Sequence, residues 1–145
     1  MTALSADARR AKYGAEYAHK TSLAMAATTI YANAIVAWNA SGYAAPAADT
    51  ANFKVAGLAL QSKTNSGSAG SEYIDVLQGV EIEVAVQSSS ITIADCGLVC
   101  VVYDDNTVSD VATATNDIPC GLVEGMSGSN ARVRVGHGFA YAAAA

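Results

Sequence analysis

The chain has 145 residues and a formal net charge of -5, with 52% of residues apolar and only 14% charged. The charged share is well under the roughly 25% usual for soluble domains, and the excess lies in small residues, which suits close packing between subunits better than a membrane. A pI near 4.7 opposes a phosphate backbone and sets nucleic acid aside as a partner. At this length one domain hides about two-thirds of its unfolded surface, enough for a core without staples.

Residues 1 to 22 read as a basic arm. Residues 1 to 20 hold Arg9, Arg10, Lys12 and Lys20 against Asp7 and Glu16, leaving four basic and eleven acidic groups for the body. The arm suits a grip on an acidic surface, with electrostatics setting the speed and register of docking, and it equally suits a solvated, frayed terminus. Ser5 is placed to cap a short helix or turn in which Tyr13 and Tyr17 stack one turn apart, with Gly14 weakening it by about 1 kcal/mol. Thr28, Thr29 and Asn33 interrupt the Ala-rich run after the arm, and Asp7 and Glu16 spoil a basic leader, which speaks against a secretory signal or a membrane span. The expectation is synthesis in the cytoplasm.

Residues 23 to 136 read as a β-domain. From Ala34 to Leu60 the chain gives a strand, an Asn-Ala-Ser-Gly turn closed by Gly42, a returning strand ended by Pro46, a loop and a third apolar strand. Val36 and Trp38 point to one face of the pleat and Ile35 and Ala37 to the other. Gly/Ser/Asn punctuation follows at Asn65 to Ser71, Ser88 to Ser90 and Thr115 to Asp117. Val80 to Val86 alternates strictly, which buries Val80, Ile82, Val84 and Val86 and turns Glu81 and Glu83 toward water. Leu98 to Tyr103 is apolar throughout, as in a strand covered on both faces by the core and a partner. Ala131 to Val135 alternates with Arg132 and Arg134 outward. Cys-Gly-Leu-Val occurs at Cys96 to Val99 and at Cys120 to Val123, read as two strands entered by the same Gly-led kink. The fold class is all-β, a small antiparallel barrel or sandwich of short strands. Residues 137 to 145 form an Ala-rich tail in which Phe139 and Tyr141 are either anchors for a neighbour's groove or part of a mobile end.

Several of these segments also resemble a known family. The small-residue hairpin at Ala34 to Pro46 and its following Val-x-Gly strand are joined by the Asn65 to Ser71 loop and the Val80 to Val86 strand. Ala94-Asp95-Cys96-Gly97 then leads into Leu98 to Tyr103, Tyr103-Asp104-Asp105-Asn106-Thr107-Val108 follows, and Gly121 to Val123 closes the series. In this order they resemble the head-decoration, or capsid-cement, proteins of tailed bacteriophages. The resemblance covers most of the chain after about residue 30 and does not extend to the arm or the tail.

Motifs for chemistry are sparse. Cys96, Cys100 and Cys120 lack the partners of a structural zinc site and read as reduced, buried thiols that behave as small hydrophobes. Asp104, Asp105, Asn106 and Asp110 depart from an EF-hand loop at Val108 and Ser109, so they read as a polar turn. His19 and His137 lie in the two ends, without the rigid setting a nucleophile's base needs, so neither Cys120 nor a serine gains a partner from sequence. No catalytic residue, metal site or cofactor is expected.

The resemblance implies a structural virion protein that binds the outside of an assembled capsid, many copies per shell, as a trimer at or near the local three-fold axes. Its partners would be the major capsid protein and further copies of itself. Arg9, Arg10, Lys12, Tyr13 and Tyr17 are the expected contacts with the shell or a neighbouring subunit, with Trp38 in the core or subunit interface and Phe139 and Tyr141 at a partner. The alternative is a β-sandwich binding module displayed on the virion, stacking Tyr43, Tyr73 or Tyr141 on carbohydrate or a host surface.

Overall fold

The computed structural model of the chain describes residues 3–8, 11–14 and 18–136. It is all-β, about 48% strand and 5% helix, with no helix of seven or more residues among the described residues. The strands are β1 (Lys12–Tyr13), β2 (His19–Ala24), β3 (Thr29–Ile30), β4 (Ile35–Trp38), β5 (Ala44–Pro46), β6 (Lys54–Ala59) and β7 (Lys63–Thr64). They continue with β8 (Tyr73–Gln78), β9 (Glu81–Val86), β10 (Val99–Asp104), β11 (Thr107–Ser109), β12 (Pro119–Ser127) and β13 (Asn130–Val135). Because β2 starts at His19, a boundary after residue 22 falls inside a strand.

The first sheet runs β1-β9-β11-β10-β12-β13, and β13 pairs back onto β9. That return closes β9, β11, β10, β12 and β13 into a five-stranded barrel, which removes the free edges of an open sheet. One rung of the ring is parallel: the turn after β10 sends β11 along the direction of β9, with Thr107 opposite Ala85 and Val108 opposite Val86. The alternating side chains of β9 fill the barrel as expected. Val80, Ile82, Val84 and Val86 meet Cys100, Val102, Val108, Cys120, Val123, Ala131, Val133 and Val135 in one core.

The second sheet runs β2-β8-β6-β4-β5. Gly42, at φ +87°, closes the predicted hairpin between β4 and β5, and β6 pairs with the other side of β4. Both faces of this sheet are covered. Ile35, Ala37, Val55, Leu58 and Leu77 join the barrel's core, whereas Val36, Ala56, Ala59, Ile74 and Val76 form a second core with Met25, Ile30, Ala34 and Ala44. A parallel bridge between Met25 and Ala44 ties the two edges of the sheet at one corner. Trp38 packs half-buried on the second core.

Two glycines mark where strands crowd. A Cβ on Gly121 would fall 2.1 Å from the Arg134 carbonyl oxygen, and one on Gly57 would fall 2.2 Å from that of Leu77. The Gly121 of the repeated Cys-Gly-Leu-Val adjoins an irregularity in the pairing of β12 with β10, but not at the strand's entry. It sits inside β12, and the two copies of the motif lie side by side, with Val99 opposite Leu122.

The polar turn between β10 and β11 joins the layers. The Asp105 carboxylate accepts a hydrogen bond from the Leu4 N–H at 2.9 Å, and its carbonyl accepts one from the Ile35 N–H at 2.9 Å. Asp104 accepts from the Asn106 N–H at 2.8 Å, an Asx turn that needs no cation.

Candidate functional site

The arm does not form the expected helix where it is described. Lys12 and Tyr13 form a strand that takes the stretch of the β9 edge left free by β11, pairing with Ile82 and Glu81. Side chains then lock the seam. The Tyr13 hydroxyl donates to Glu83 Oε1 at 3.1 Å, the Arg132 guanidinium lies 5.0 Å from the Tyr13 ring centroid, and Lys12 Nζ donates to Asn33 Oδ1 at 2.9 Å. The Glu83 carboxylate that accepts this bond holds the Tyr13 hydroxyl above the ordinary phenol value, with desolvation adding to the rise.

Beneath Tyr13, Arg132 donates from Nε and Nη2 to Glu81 Oε2 at 2.9 and 2.7 Å. Glu81 is thereby buried, with 5% of its surface exposed, contrary to the outward placement its alternation predicts. The reason is lateral: side chains of β13 and β1 cover a position that looks solvent-facing when β9 is read alone. Arg134 pairs with Glu124, whose carboxyl the guanidinium holds below the usual carboxylate range. The sequence places Arg132 and Arg134 outward without revealing these partners.

At the opposite rim of the barrel a second feature stands out. Ile93, Val111 and Leu98 are 72%, 58% and 57% exposed, although both cores are filled. Leu98 thus leaves the covered strand expected for Leu98 to Tyr103. A turn over Ile93–Asp95 holds Ile93 outward, with Thr92 and Asp95 capping each other and the Thr92 N–H donating to Asp95 Oδ2 at 2.8 Å. Beside it lies a cleft of about 280 Å³ lined by Ser89, Ile91, Thr92, Ile93, Met126, Gly128 and Ser129. A neighbouring cavity of about 210 Å³ shares Ile91 and adds Asp95, Leu98, Asp110 and Val111. Ser89 of the cleft lining and the preceding Ser88 both take left-handed backbone at φ 53°, uncommon for residues other than glycine.

The remaining candidates scatter. Cys100 and Cys120 are buried free thiols, but Cys96 is exposed because the turn before β10 carries it out of the core. Tyr73 is exposed on β8, and Tyr43 is half-buried against Gly70. Among the described residues no group of three or more His, Cys, Asp or Glu side chains is arranged to hold a metal ion, and no helix is long and apolar enough to cross a membrane. Arg9, Arg10, Tyr17, His137, Phe139 and Tyr141 lie outside the described residues. No protein-family model matches the chain, and no curated protein matches it significantly.

Proposed function

We propose that this is a structural virion protein that binds the outer surface of an assembled bacteriophage capsid as a homo-oligomer and stabilises it. The observation that carries the reading is the exposed apolar rim. A domain with two filled cores has no internal use for Ile93, Leu98 and Val111 in water; Ile93 lines one cleft, Leu98 and Val111 line a second, and the two clefts share Ile91, a grouping that fits a surface another protein covers. The ordered segments that resemble head-decoration proteins supply the partner, the major capsid protein, and a trimer as the assembly. The β-rich, closed architecture is compatible with a small rigid plug.

The physics of such a role is linkage. A ligand that binds the assembled lattice and not its dissociated subunits stabilises the lattice, by about 2.7 kcal/mol per site at a hundredfold excess over Kd. Several contacts per oligomer raise the apparent affinity further through effective concentration. Added to undecorated capsids, the purified protein is expected to co-sediment, saturate at a fixed ratio of copies to shell subunits and raise the temperature of capsid disruption. No co-sedimentation across salt and pH, or micromolar glycan binding with no effect on capsids, overturns the reading; the second outcome would favour the adhesion module and its exposed Tyr73.

A further inference from the structure

We propose that Cys100 and Cys120 are a cross-strand dithiol that closes to a disulfide in an oxidising medium and staples β10 to β12. This modification site goes beyond the capsid reading and does not rest on it.

The pairing of β10 with β12 sets the two residues face to face. Their register shifts between Cys100 and Val101. On one side of the shift the Val102 N–H donates to the Ile118 carbonyl at 2.9 Å, and on the other the Val123 N–H donates to the Leu98 carbonyl at 2.9 Å. Hydrogen-bonded pairs recur every second residue of an antiparallel ladder, so two steps in from the first bond place Cys100 opposite Cys120, and two steps in from the second place it opposite Gly121. This is a β-bulge, in which two residues of β12 face one of β10. Opposed Cα atoms at hydrogen-bonded positions stand roughly 5.5 Å apart, inside the range of about 4.4 to 6.8 Å that a disulfide spans. The side chains agree with the backbone. Cys100 and Cys120 are 1% and 0% exposed and belong to the same barrel core, so both leave the same face of the sheet. Cys100 Sγ leans toward β12, donating to the Gly121 carbonyl at 3.6 Å, and Gly121 puts no side chain between the two cysteines. Cys96 lies apart from them, exposed in the turn before β10.

Both sulfurs are thiols in this structure, so closure needs an oxidant. A small-molecule disulfide such as oxidised glutathione supplies it. One cysteine, as its thiolate, attacks a sulfur of the reagent and expels one glutathione thiolate; the other cysteine, having lost its proton, attacks the protein sulfur of the mixed disulfide and expels the second. The protein gives up two protons and two electrons, and the reagent leaves as two thiols. Burial keeps the reagent out of the folded core, so exchange proceeds through opening of the β10–β12 pair. A reducing cytosol holds the dithiol open, and an oxidising medium closes it. The loop so closed contains β11 and Val111, and Cys100 itself lines the cavity of Leu98 and Val111, so the staple fixes one wall of the apolar rim.

The test uses the full, unchanged chain, whose three cysteines allow three pairings. It is equilibrated with oxidised and reduced glutathione in mild urea, the remaining thiols are capped, and the products are mapped by mass spectrometry. A peptide pair joined through Cys100 and Cys120, lighter by two hydrogens, is expected to dominate over any pairing with Cys96. Closing this loop should raise the thermal midpoint by roughly 10 °C, a gain that dithiothreitol reverses. Cys96→Ala should form the same bond with the same gain, and Cys120→Ala should show no gain on oxidation. Cys100 and Cys120 recovered as thiols or as separate glutathione adducts, or a dominant bond to Cys96, overturns the inference. So does a Cys100–Cys120 bond that lowers the midpoint, because the strands would then have to move to make it. Capsid binding by the reduced chain tests the proposed function separately, so either idea can fail without the other.

Discussion

Tyr13 and Asn65 show how single side chains decide local order. The Tyr13 hydroxyl donates to Glu83, a bond that exists only while the phenol keeps its proton, so its ionisation is held back in the folded chain. The sign follows: a folded value above the unfolded one gives a contribution complete below the ordinary phenol range, near pH 10, and lost as pH rises through the folded value. Glu83→Gln is expected to bring the Tyr13 titration back toward that range, followed by NMR of ring-labelled tyrosine with Tyr13→Phe to assign the signal; an unchanged titration would refute the assignment. Asn65 is buried inside a loop that the sequence marks only by its Gly and Ser content. Its Nδ2 donates to the carbonyls of Met25 at 3.2 Å and Ser68 at 3.0 Å, and its Oδ1 accepts from the Gly67 N–H at 3.1 Å and Ser71 Oγ at 2.8 Å. Asn65→Ala removes all four bonds, although the Met25 and Ser68 carbonyls keep those from the Gly70 and Ser71 N–H groups, and should cost about 2 kcal/mol in chemical denaturation. Thr107 presents the reverse case, a buried hydroxyl with no hydrogen-bond partner among the described residues. Thr107→Val keeps its shape and should stabilise by about 1 kcal/mol, or about 3 °C in Tm.

Elements register what residues cannot, namely how closely strands approach. At Gly121 and Gly57 the neighbouring strand's carbonyl oxygen stands where a side chain would begin. A backbone oxygen cannot rotate aside as a flexible side chain does. Gly121→Ala and Gly57→Ala should therefore each cost about 3 kcal/mol, seen as a shifted urea midpoint at unchanged slope. Gly42→Ala meets no neighbour, so its cost is only the left-handed backbone, about 1 kcal/mol. The same contrast explains what was legible in the sequence. The alternation of Val80 to Val86 and the hairpin around Gly42 are local patterns, and the strands follow them. Pairing partners are not local. Nothing in Lys12-Tyr13 announces that it edges β9, and nothing around Glu81 announces the Arg132 that buries it. Ring closure through β9 and β13 brings together residues some fifty positions apart, with Ala131 opposite Val84. The exposed rim was equally hidden, because Ile93 and Leu98 look like core residues until the capped turn holds them out.

For the whole molecule, the arm is a strap before it is anything else. Leu4 packs on the second core and its N–H reaches Asp105, Asp7 accepts from the Ala32 N–H at 2.9 Å, the Ala8 N–H donates to the Ala32 carbonyl at 3.0 Å, and the Ala11 carbonyl accepts from Glu83 of the barrel at 3.1 Å. Both sheets are thus tied by one segment, and its removal loosens the body as well as any attachment. At about 1 kcal/mol net per hydrogen bond, loss of these four on deleting residues 1–14 should cost about 4 kcal/mol and lower Tm by about 12 °C. Such a deletion therefore cannot by itself assign the arm to capsid docking. The two roles separate by charge. Arg9→Ala with Arg10→Ala removes charge and keeps Leu4, Asp7 and Tyr13, so affinity for bare capsids should fall about tenfold, by more than any change in the unfolding midpoint accounts for. The salt dependence of binding should flatten with it, since screening acts on the charges removed. Co-sedimentation at low and high salt measures both effects. If the double variant binds like the unchanged chain at every ionic strength, the basic residues of the arm play no part in docking, and the strap is the arm's whole contribution.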